Sequence, residues 1–161
     1  MDKVFCALAV LLPLVASCTG RTVSSETRPL PGHWNKDAVV QFEIPQMDST
    51  QPHAIYITLR NTNDYKFNNI YLIASLVHPQ GKTQTDTLEY RMAAPDGTWL
   101  GQGIGTVKES KLFYKDNIRF TEKGSYRLQI GHANRNNGDP QGVINLEGIS
   151  DVGYSIETAP Q

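Results

Sequence analysis

The sequence predicts an all-β fold, a two-sheet antiparallel β-sandwich. The part after position 33 contains about seven short runs in which apolar and polar residues alternate, the pattern of half-buried strands. Turn-forming stretches such as PDG at 95–97 and NGDP at 137–140 separate these runs. No segment of this part shows an apolar stripe at helical spacing over several turns. A small barrel is the alternative architecture for the same pattern.

Each predicted strand follows from its own residue pattern. The run 38–44 (AVVQFEI) alternates strictly and stops at Pro45, whereas 69–77 (NIYLIASLV) is the most apolar segment and predicts a central strand buried on both faces. The PQG turn at 79–81 joins that run to 83–92 and predicts a hairpin. The predicted strands span residues 38–44, 54–59, 69–77, 83–92, 112–120, 125–132 and 152–158.

The N-terminal segment predicts secretion and lipid attachment. An apolar run at 4–16 is too short to span a bilayer and is followed by Ser17 and Cys18, so that LVASC matches a bacterial lipobox. We therefore expect residues 1–17 to be a signal peptide removed between Ser17 and Cys18. Diacylglyceryl and palmitoyl chains on Cys18 would then anchor the protein in a lipid bilayer. An ordinary signal peptide, or a buried strand with an incidental cysteine, is the alternative.

The segment after the cysteine predicts a tether. Residues 19–32 (TGRTVSSETRPLPG) are polar and show no period of two or 3.6, so residues 18–33 are expected to form the lipidated cysteine and a flexible leash. Trp34 marks the expected start of ordered structure, and 34–161 the single sandwich domain.

Charge and cysteine content argue against nucleic-acid binding, disulfide bonds and cysteine zinc sites. Fifteen Lys and Arg against sixteen Asp and Glu give a net charge of -1, which argues against binding to nucleic acid. No cysteine follows Cys18, so the domain has neither a disulfide nor a cysteine zinc site.

The residues indicate no catalytic, cofactor-binding or metal-binding site, and the chain is predicted not to be an enzyme. The four histidines lie far apart in the sequence, and Asp86 and Glu89 fall on opposite faces of one predicted strand. The GQGIG run at 101–105 lacks the strand, helix and Lys-Ser/Thr end of a phosphate loop, so a close backbone crossover is favoured. The asparagine-rich loop at 61–69 is better explained by turn formation than by calcium binding.

Five residues form a candidate interaction surface. Asn63, Asp64 and Tyr65 lie in the polar loop, and Asp96 and Trp99 lie at the later PDGTW turn. Exposed aromatic rings bind sugars, so Trp34, Tyr65, Tyr90 and Trp99 also allow a glycan-binding hypothesis. A core position is nevertheless the favoured interpretation of Trp99.

Several stretches resemble a known family. The segment 59–105, with LRN, NDY, DTLEY and DGTWLGQG, then KLFYKDNIRF at 111–120 and DVGYSIE at 151–157, resembles the GldH-type gliding-motility lipoproteins of Bacteroidetes. The resemblance covers nearly the whole predicted mature domain and places the lipobox where the family has it.

The resemblance implies a cell-envelope lipoprotein that is part of, or needed by, the gliding machinery linked to type IX secretion. It implies no catalytic activity and no cofactor, and it carries over no functional residue except Cys18. The expected partners are the bilayer and envelope proteins, and the expected location is the outer membrane facing the periplasm. A glycan-binding lipoprotein and an envelope hydrolase are the alternatives. The first requires exposed, coplanar aromatic rings, and the second requires clustered carboxylates or histidines in a cleft.

Overall fold

A computed structural model describes residues 20–158, and ten strands make up the fold of that part of the chain. The strands are β1 (Thr22–Pro29), β2 (His33–Asn35), β3 (Val40–Ile44), β4 (His53–Asn61), β5 (Asn69–Val77), β6 (Thr83–Arg91), β7 (Lys108–Ile118), β8 (Tyr126–His132), β9 (Asn145–Glu147) and β10 (Ile149–Thr158). The predicted signal peptide and Cys18 lie outside the described residues. No helix within residues 20–158 has the length and apolar character needed to cross a membrane.

The strands form two four-stranded antiparallel sheets that pack as a sandwich, as predicted. One sheet has the order β1-β10-β4-β7 and the other β3-β8-β5-β6, while β2 and β9 form a separate two-stranded ribbon. In β4 and β8, alternate residues point inward: Ile55, Ile57 and Leu59 of β4 are fully buried, and so are Leu128 and Ile130 of β8. These inward faces join in one continuous apolar core between the sheets.

The predicted flexible leash is wrong over most of its length. Residues Thr22–Pro29 form β1, which pairs with β10 along its whole length from Thr22 opposite Glu157 to Pro29 opposite Asp151. Ordered structure therefore begins well before Trp34. Because β1 is an edge strand held mainly by backbone hydrogen bonds, its side chains need not alternate between apolar and polar residues.

The other strand predictions hold, with one correction. The β5–β6 hairpin forms as predicted, with its turn closed by His78 N–H donating to Lys82 O over 2.8 Å. Strand β5 is central in its sheet but buried on one face only, because Ile73 on the opposite face is 42% exposed. The short strands β2 and β9 have no counterpart in the prediction; three residues are too few to show a period.

The connections gather at two opposite ends of the sandwich. We call one the Gly20 end, where Gly20 and the loops 45–52, 78–82 and 119–125 lie. The other is the Trp99 end, where the loops 62–68, 92–107 and 133–144 lie. Strand β4 runs from the first to the second, since His53 pairs with Thr158 and Asn61 with Lys108.

Candidate functional site

Three of the five predicted interaction residues meet at the Trp99 end. The indole N–H of Trp99 donates to Oδ1 of Asn63 over 3.1 Å, and the Trp99 ring centre lies 6.1 Å from that of Tyr65, with the planes tilted by 46°. The turn at 94–98 brings Trp99 back beside Ala93 in a short bridge. Two loops distant in sequence are thereby joined through an indole, an amide and a phenol.

Tyr65 is a supporting residue rather than an exposed one. Its ring is only 3% exposed, its hydroxyl donates to Asn69 O over 2.7 Å, and Asn134 Nδ2 donates to that hydroxyl over 3.2 Å. Burial raises the pKa of Tyr65 well above its usual value, so the phenol stays neutral and keeps its proton for Asn69. Tyr65 therefore orients the loop beneath Trp99.

The two carboxylates of the predicted surface stabilise their own turns. Asp96 Oδ1 accepts from Thr98 N–H over 3.0 Å, and hydrogen bonds from Thr98 lower the pKa of Asp96. Asp64 accepts from the Thr62 hydroxyl over 3.3 Å, while its own N–H donates to that hydroxyl. This turn chemistry is the predicted explanation of the polar loop. The binding role of all five residues stays a prediction.

Asn134 and Gly148 complete this end, and the sequence analysis missed both. Asn134 is buried, and its Oδ1 accepts from Tyr71 N–H over 2.9 Å. Gly148 lies so close to Tyr65 that an added Cβ would fall 2.1 Å from the Tyr65 nitrogen. The sequence does indicate a special backbone position at Gly148, because it is an isolated glycine between two strand-like runs.

A shallow groove of about 770 Å³ lies beside Trp99, along the start of β7. Its walls include apolar Leu100, Val107 and Leu112, basic Arg91, the ion pair of Arg60 with Glu109, and Lys111, which is paired with Glu157. At the loop tip next to it, Ile104 is 100% exposed, with Leu100 and Val107 also exposed. This end thus presents apolar side chains to solvent beside one cation, Arg91, that forms no salt bridge with a carboxylate described in residues 20–158.

The glycine run builds one wall of the groove by close backbone contact, as predicted. Gln102 and Glu109 exchange two backbone hydrogen bonds of 2.8 and 2.7 Å. A Cβ on Gly101 would lie 2.9 Å from Glu109 O, and one on Gly103 would lie 2.6 Å from Val107 O. Side chains at these two positions would push the segment away from β7.

Among the titratable side chains of the described part of the chain, His78 and Glu122 form a close pair, with Nδ1 2.8 Å from Oε1. Residues 20–158 contain no cluster of three His, Cys, Asp or Glu side chains that could hold a metal ion. Asp86 faces the opposite sheet, accepting from Tyr114 over 3.0 Å and pairing with Lys115 at 2.8 Å, whereas Glu89 accepts from Asn69 over 2.8 Å. The two carboxylates therefore point to opposite faces of β6, as their spacing predicts.

The aromatic residues do not form the platform that the glycan hypothesis requires. Trp34 is 0% exposed, and its indole N–H donates to Ala38 O over 2.8 Å. Tyr65 is buried as well, and Tyr90 is half-buried with its hydroxyl donating to Phe113 O. Trp99 is partly exposed and packs against the core, as favoured from the sequence. A flat pair of exposed rings is missing from this set.

Comparison with known proteins identifies the family to which the chain belongs. The model of the GldH lipoprotein family matches residues 22–156, which include every strand from β1 to β10 almost to its end. The chain belongs to the GldH lipoprotein family. The resemblance stated from the sequence is confirmed.

Two relatives carry the family name. The chain is 48% identical over 144 residues to the gliding motility lipoprotein GldH homolog of Christiangramia forsetii, covering 89% of this chain and 88% of the relative. It is 46% identical over 144 residues to gliding motility lipoprotein GldH of Flavobacterium johnsoniae, covering 89% of each. Membership of this lipoprotein family implies a membrane-anchored location in the cell envelope.

Likeness to solved structures adds nothing to the GldH assignment. A chain of infectious bursal disease virus, Gx strain, aligns with a TM-score of 0.34 and 15% identity, covering 88% of this chain and 31% of that chain. A score this low carries no argument about function.

Proposed function

We propose that this GldH-family protein is a non-catalytic component of the gliding machinery linked to type IX secretion, anchored by acyl chains on Cys18. We further propose that it resides in the outer membrane and faces the periplasm. The names of the two relatives, both gliding motility lipoproteins, support the proposed role in gliding. The observation that carries the molecular role is the Trp99 end, where exposed apolar side chains stand on a loop braced by internal hydrogen bonds.

The proposed partner is an envelope protein of the gliding apparatus that binds at the Trp99 end. Leu100, Ile104 and Val107 offer apolar contact, and the neighbouring groove adds Arg91, which forms no salt bridge with a carboxylate described in residues 20–158. A partner that fits this surface presents an apolar patch with a carboxylate at its border. Asn63, Tyr65 and Trp99 hold the loop in shape, which reduces the entropy lost on binding.

The test is site-specific photocrosslinking in a gliding host. A photoreactive amino acid is placed at Ile104, and a control at Ile73, which is also exposed but lies on the outer face of β5. We expect known gliding or secretion components to crosslink at position 104 and not at 73. Ile104→Asp should impair gliding with normal protein levels, and Ile73→Asp should not. Normal gliding of the Ile104→Asp cells, with no such component captured at 104, would refute this role.

The anchor is tested independently. Cys18→Ala should release the protein from membranes, and intact mass of the wild-type protein should show the acyl groups. Separation of inner and outer membranes, followed by protease treatment of whole cells, tests the membrane and the face. Digestion of the protein in intact cells would contradict a periplasmic orientation.

A further inference from the structure

We propose that the Gly20 end of the sandwich rests directly on the surface of the bilayer, so that the Trp99 end points away from it. This membrane-facing surface is distinct from the partner-binding surface proposed at the Trp99 end. The orientation rests on the proposed acylation of Cys18 and follows from how the chain enters the domain.

The chain next to the anchor is attached to the sandwich from Gly20 onward. Arg21 N–H donates to Oγ1 of Thr158 over 3.2 Å, and Thr158 N–H donates to Arg21 O over 3.0 Å. An added Cβ on Gly20 would lie 2.3 Å from Thr158 O, so the backbone here is in close contact with the end of β10. Only two residue steps separate Gly20 from Cys18, a reach of about 7 Å at full extension.

So short a reach keeps the acylated residue beside the Gly20 end. The predicted fourteen-residue leash, 19–32, would have let the domain turn in any direction. Because β1 occupies most of that segment, the covalent attachment leaves little freedom for the domain to lift or invert. The surface nearest the lipid headgroups is therefore the one built by loops 45–52, 78–82 and 119–125.

These three loops form one connected surface. Gly124 N–H donates to Gln46 Oε1 over 3.0 Å, and Gln80 N–H donates to Glu122 Oε2 over 3.2 Å. Arg119 donates to the carbonyl of Thr50. Within residues 20–158, none of the large exposed apolar side chains lies in these loops, so the contact with lipid would be polar and at headgroup level.

The charges of this surface suit anionic headgroups. Its cations are Arg21, Lys82, Arg119 and Lys123, and no carboxylate described in residues 20–158 forms a salt bridge with any of them. Its acids Asp48 and Glu122 are ionised, because hydrogen bonding to Thr50 and to His78 lowers their pKa values, and Asp116 near the end of β7 is exposed at the same end. Four cations against three carboxylates leave a formal charge of +1, so this surface is weakly positive and compatible with anionic lipid.

The opposite end is raised clear of the bilayer. Strand β4 has nine residues and spans about 27 Å between the two ends. Ile104 lies in the loop that precedes β7, beyond the end of β4 at Asn61. Its apolar side chain would thus face the aqueous compartment and not the membrane of its own anchor.

The experiment measures fluorescence quenching by spin-labelled headgroups. The full-length acylated protein, carrying single substitutions Lys82→Cys or Ile104→Cys, is labelled with a maleimide dye and reconstituted in vesicles of phosphatidylethanolamine and phosphatidylglycerol. Acylated Cys18 does not react with maleimide, and Cys6 is removed with the predicted signal peptide. We expect severalfold stronger quenching at position 82 than at 104.

A matched control restores the leash. Ten Gly and Ser residues inserted between Thr19 and Gly20 add a mean reach of about 17 Å and should bring the two quenching values together. Intact mass separates the two hypotheses. An acylated protein quenched equally at 82 and 104, or more strongly at 104, would overturn the orientation alone. A protein without acyl groups would overturn the Cys18 anchor and the orientation together.

Discussion

Gly148 joins three segments that are far apart in the sequence. Its N–H donates to Gly32 O over 3.1 Å, and its carbonyl accepts from Thr62 N–H over 2.8 Å. Its φ of +80° is one that side-chain-bearing residues rarely adopt, and the backbone of Tyr65 occupies the place where a Cβ would lie. The position of Tyr65 under Trp99 therefore depends on the absence of a side chain at 148.

We expect Gly148→Ala to lower the free energy of unfolding by about 3 kcal/mol, since left-handed strain and steric overlap add together. Gly138→Ala is the matched control. Its φ is +81°, but an added Cβ would meet nothing within 4 Å, so only about 1 kcal/mol of strain is expected. Urea unfolding of both variants measures the difference. Equal losses would show that the contact with Tyr65 does not matter.

His132 is buried with one defined tautomer. Its Nε2 donates to Trp34 O over 2.9 Å, while Nδ1 has no hydrogen-bond partner. Burial lowers the pKa of His132 below its ordinary value of 6.5, because a second proton would place an unpaired charge in the core.

This burial predicts a loss of stability in mild acid. The unfolded state binds a proton at His132 more readily than the folded state does, so stability rises with pH through this range. The contribution is complete above about pH 6.5 and declines as the pH falls toward the lower folded-state pKa. His132→Gln keeps a donor for Trp34 and cannot titrate. We expect the wild type to lose more stability than this variant between about pH 7 and 5.5 in urea titrations.

Among the elements, β1 shows why part of the fold was not predictable. Its one large apolar residue, Val23, is exposed, so the segment carries no alternation for a pattern search to find. Its position is set by backbone pairing with β10 and by contacts such as Ser24 Oγ to Tyr154 Oη at 2.9 Å. By contrast, β5 was predicted to the residue because its apolar run is bounded by turns.

The site was predictable to the same uneven extent. Local turn chemistry at Asp64 and Asp96 follows from neighbours in the sequence. The role of Asn134 does not follow from its neighbours, because its partners Tyr65 and Tyr71 lie more than sixty residues away in the sequence. One sequence alone does not show which distant residues are in contact. The link between Asn63 and Trp99 spans 36 positions and is equally invisible to local patterns.

Hydrogen exchange tests the status of β1 directly. Alternate amides of Thr22–Pro29, those that point toward β10, should exchange far more slowly than the amides of the loop at 135–142, whereas in a leash all of them would exchange as fast as that loop. Gly153→Ala supplies the matched perturbation. Its Cβ would lie 2.5 Å from Thr58 Oγ1 of β4 and 2.6 Å from Glu26 O of β1, so it should loosen the edge strand β1 while leaving β5 of the other sheet protected. Rapid exchange of 22–29 in the wild type would contradict the strand.

At the scale of the whole molecule, one hydrophobic core packs against the strands that support both the Gly20 end and the Trp99 end. One cluster of buried apolar residues runs from Trp34 of β2 through both sheets to Ile156 of β10. Cross-sheet contacts reinforce it: the rings of Phe42 and Tyr154 meet edge to face at 5.2 Å, and Tyr114 reaches Asp86 on the facing sheet. With no second core among the described residues, neither end can loosen far without disturbing the other.

We therefore expect one cooperative unfolding transition for the whole sandwich. Trp34 lies at the Trp99 end, and its fully buried indole reports on β2, whereas far-UV circular dichroism reports on all strands. In a Trp99→Phe variant, Trp34 is the remaining tryptophan. Its fluorescence and the circular dichroism should change at the same urea concentration, with a shared slope of about 1–3 kcal/mol/M. An earlier fluorescence transition would mean that the ribbon of β2 and β9 opens separately, so that the surface proposed to bind partners would not be rigidly held by the membrane-facing end.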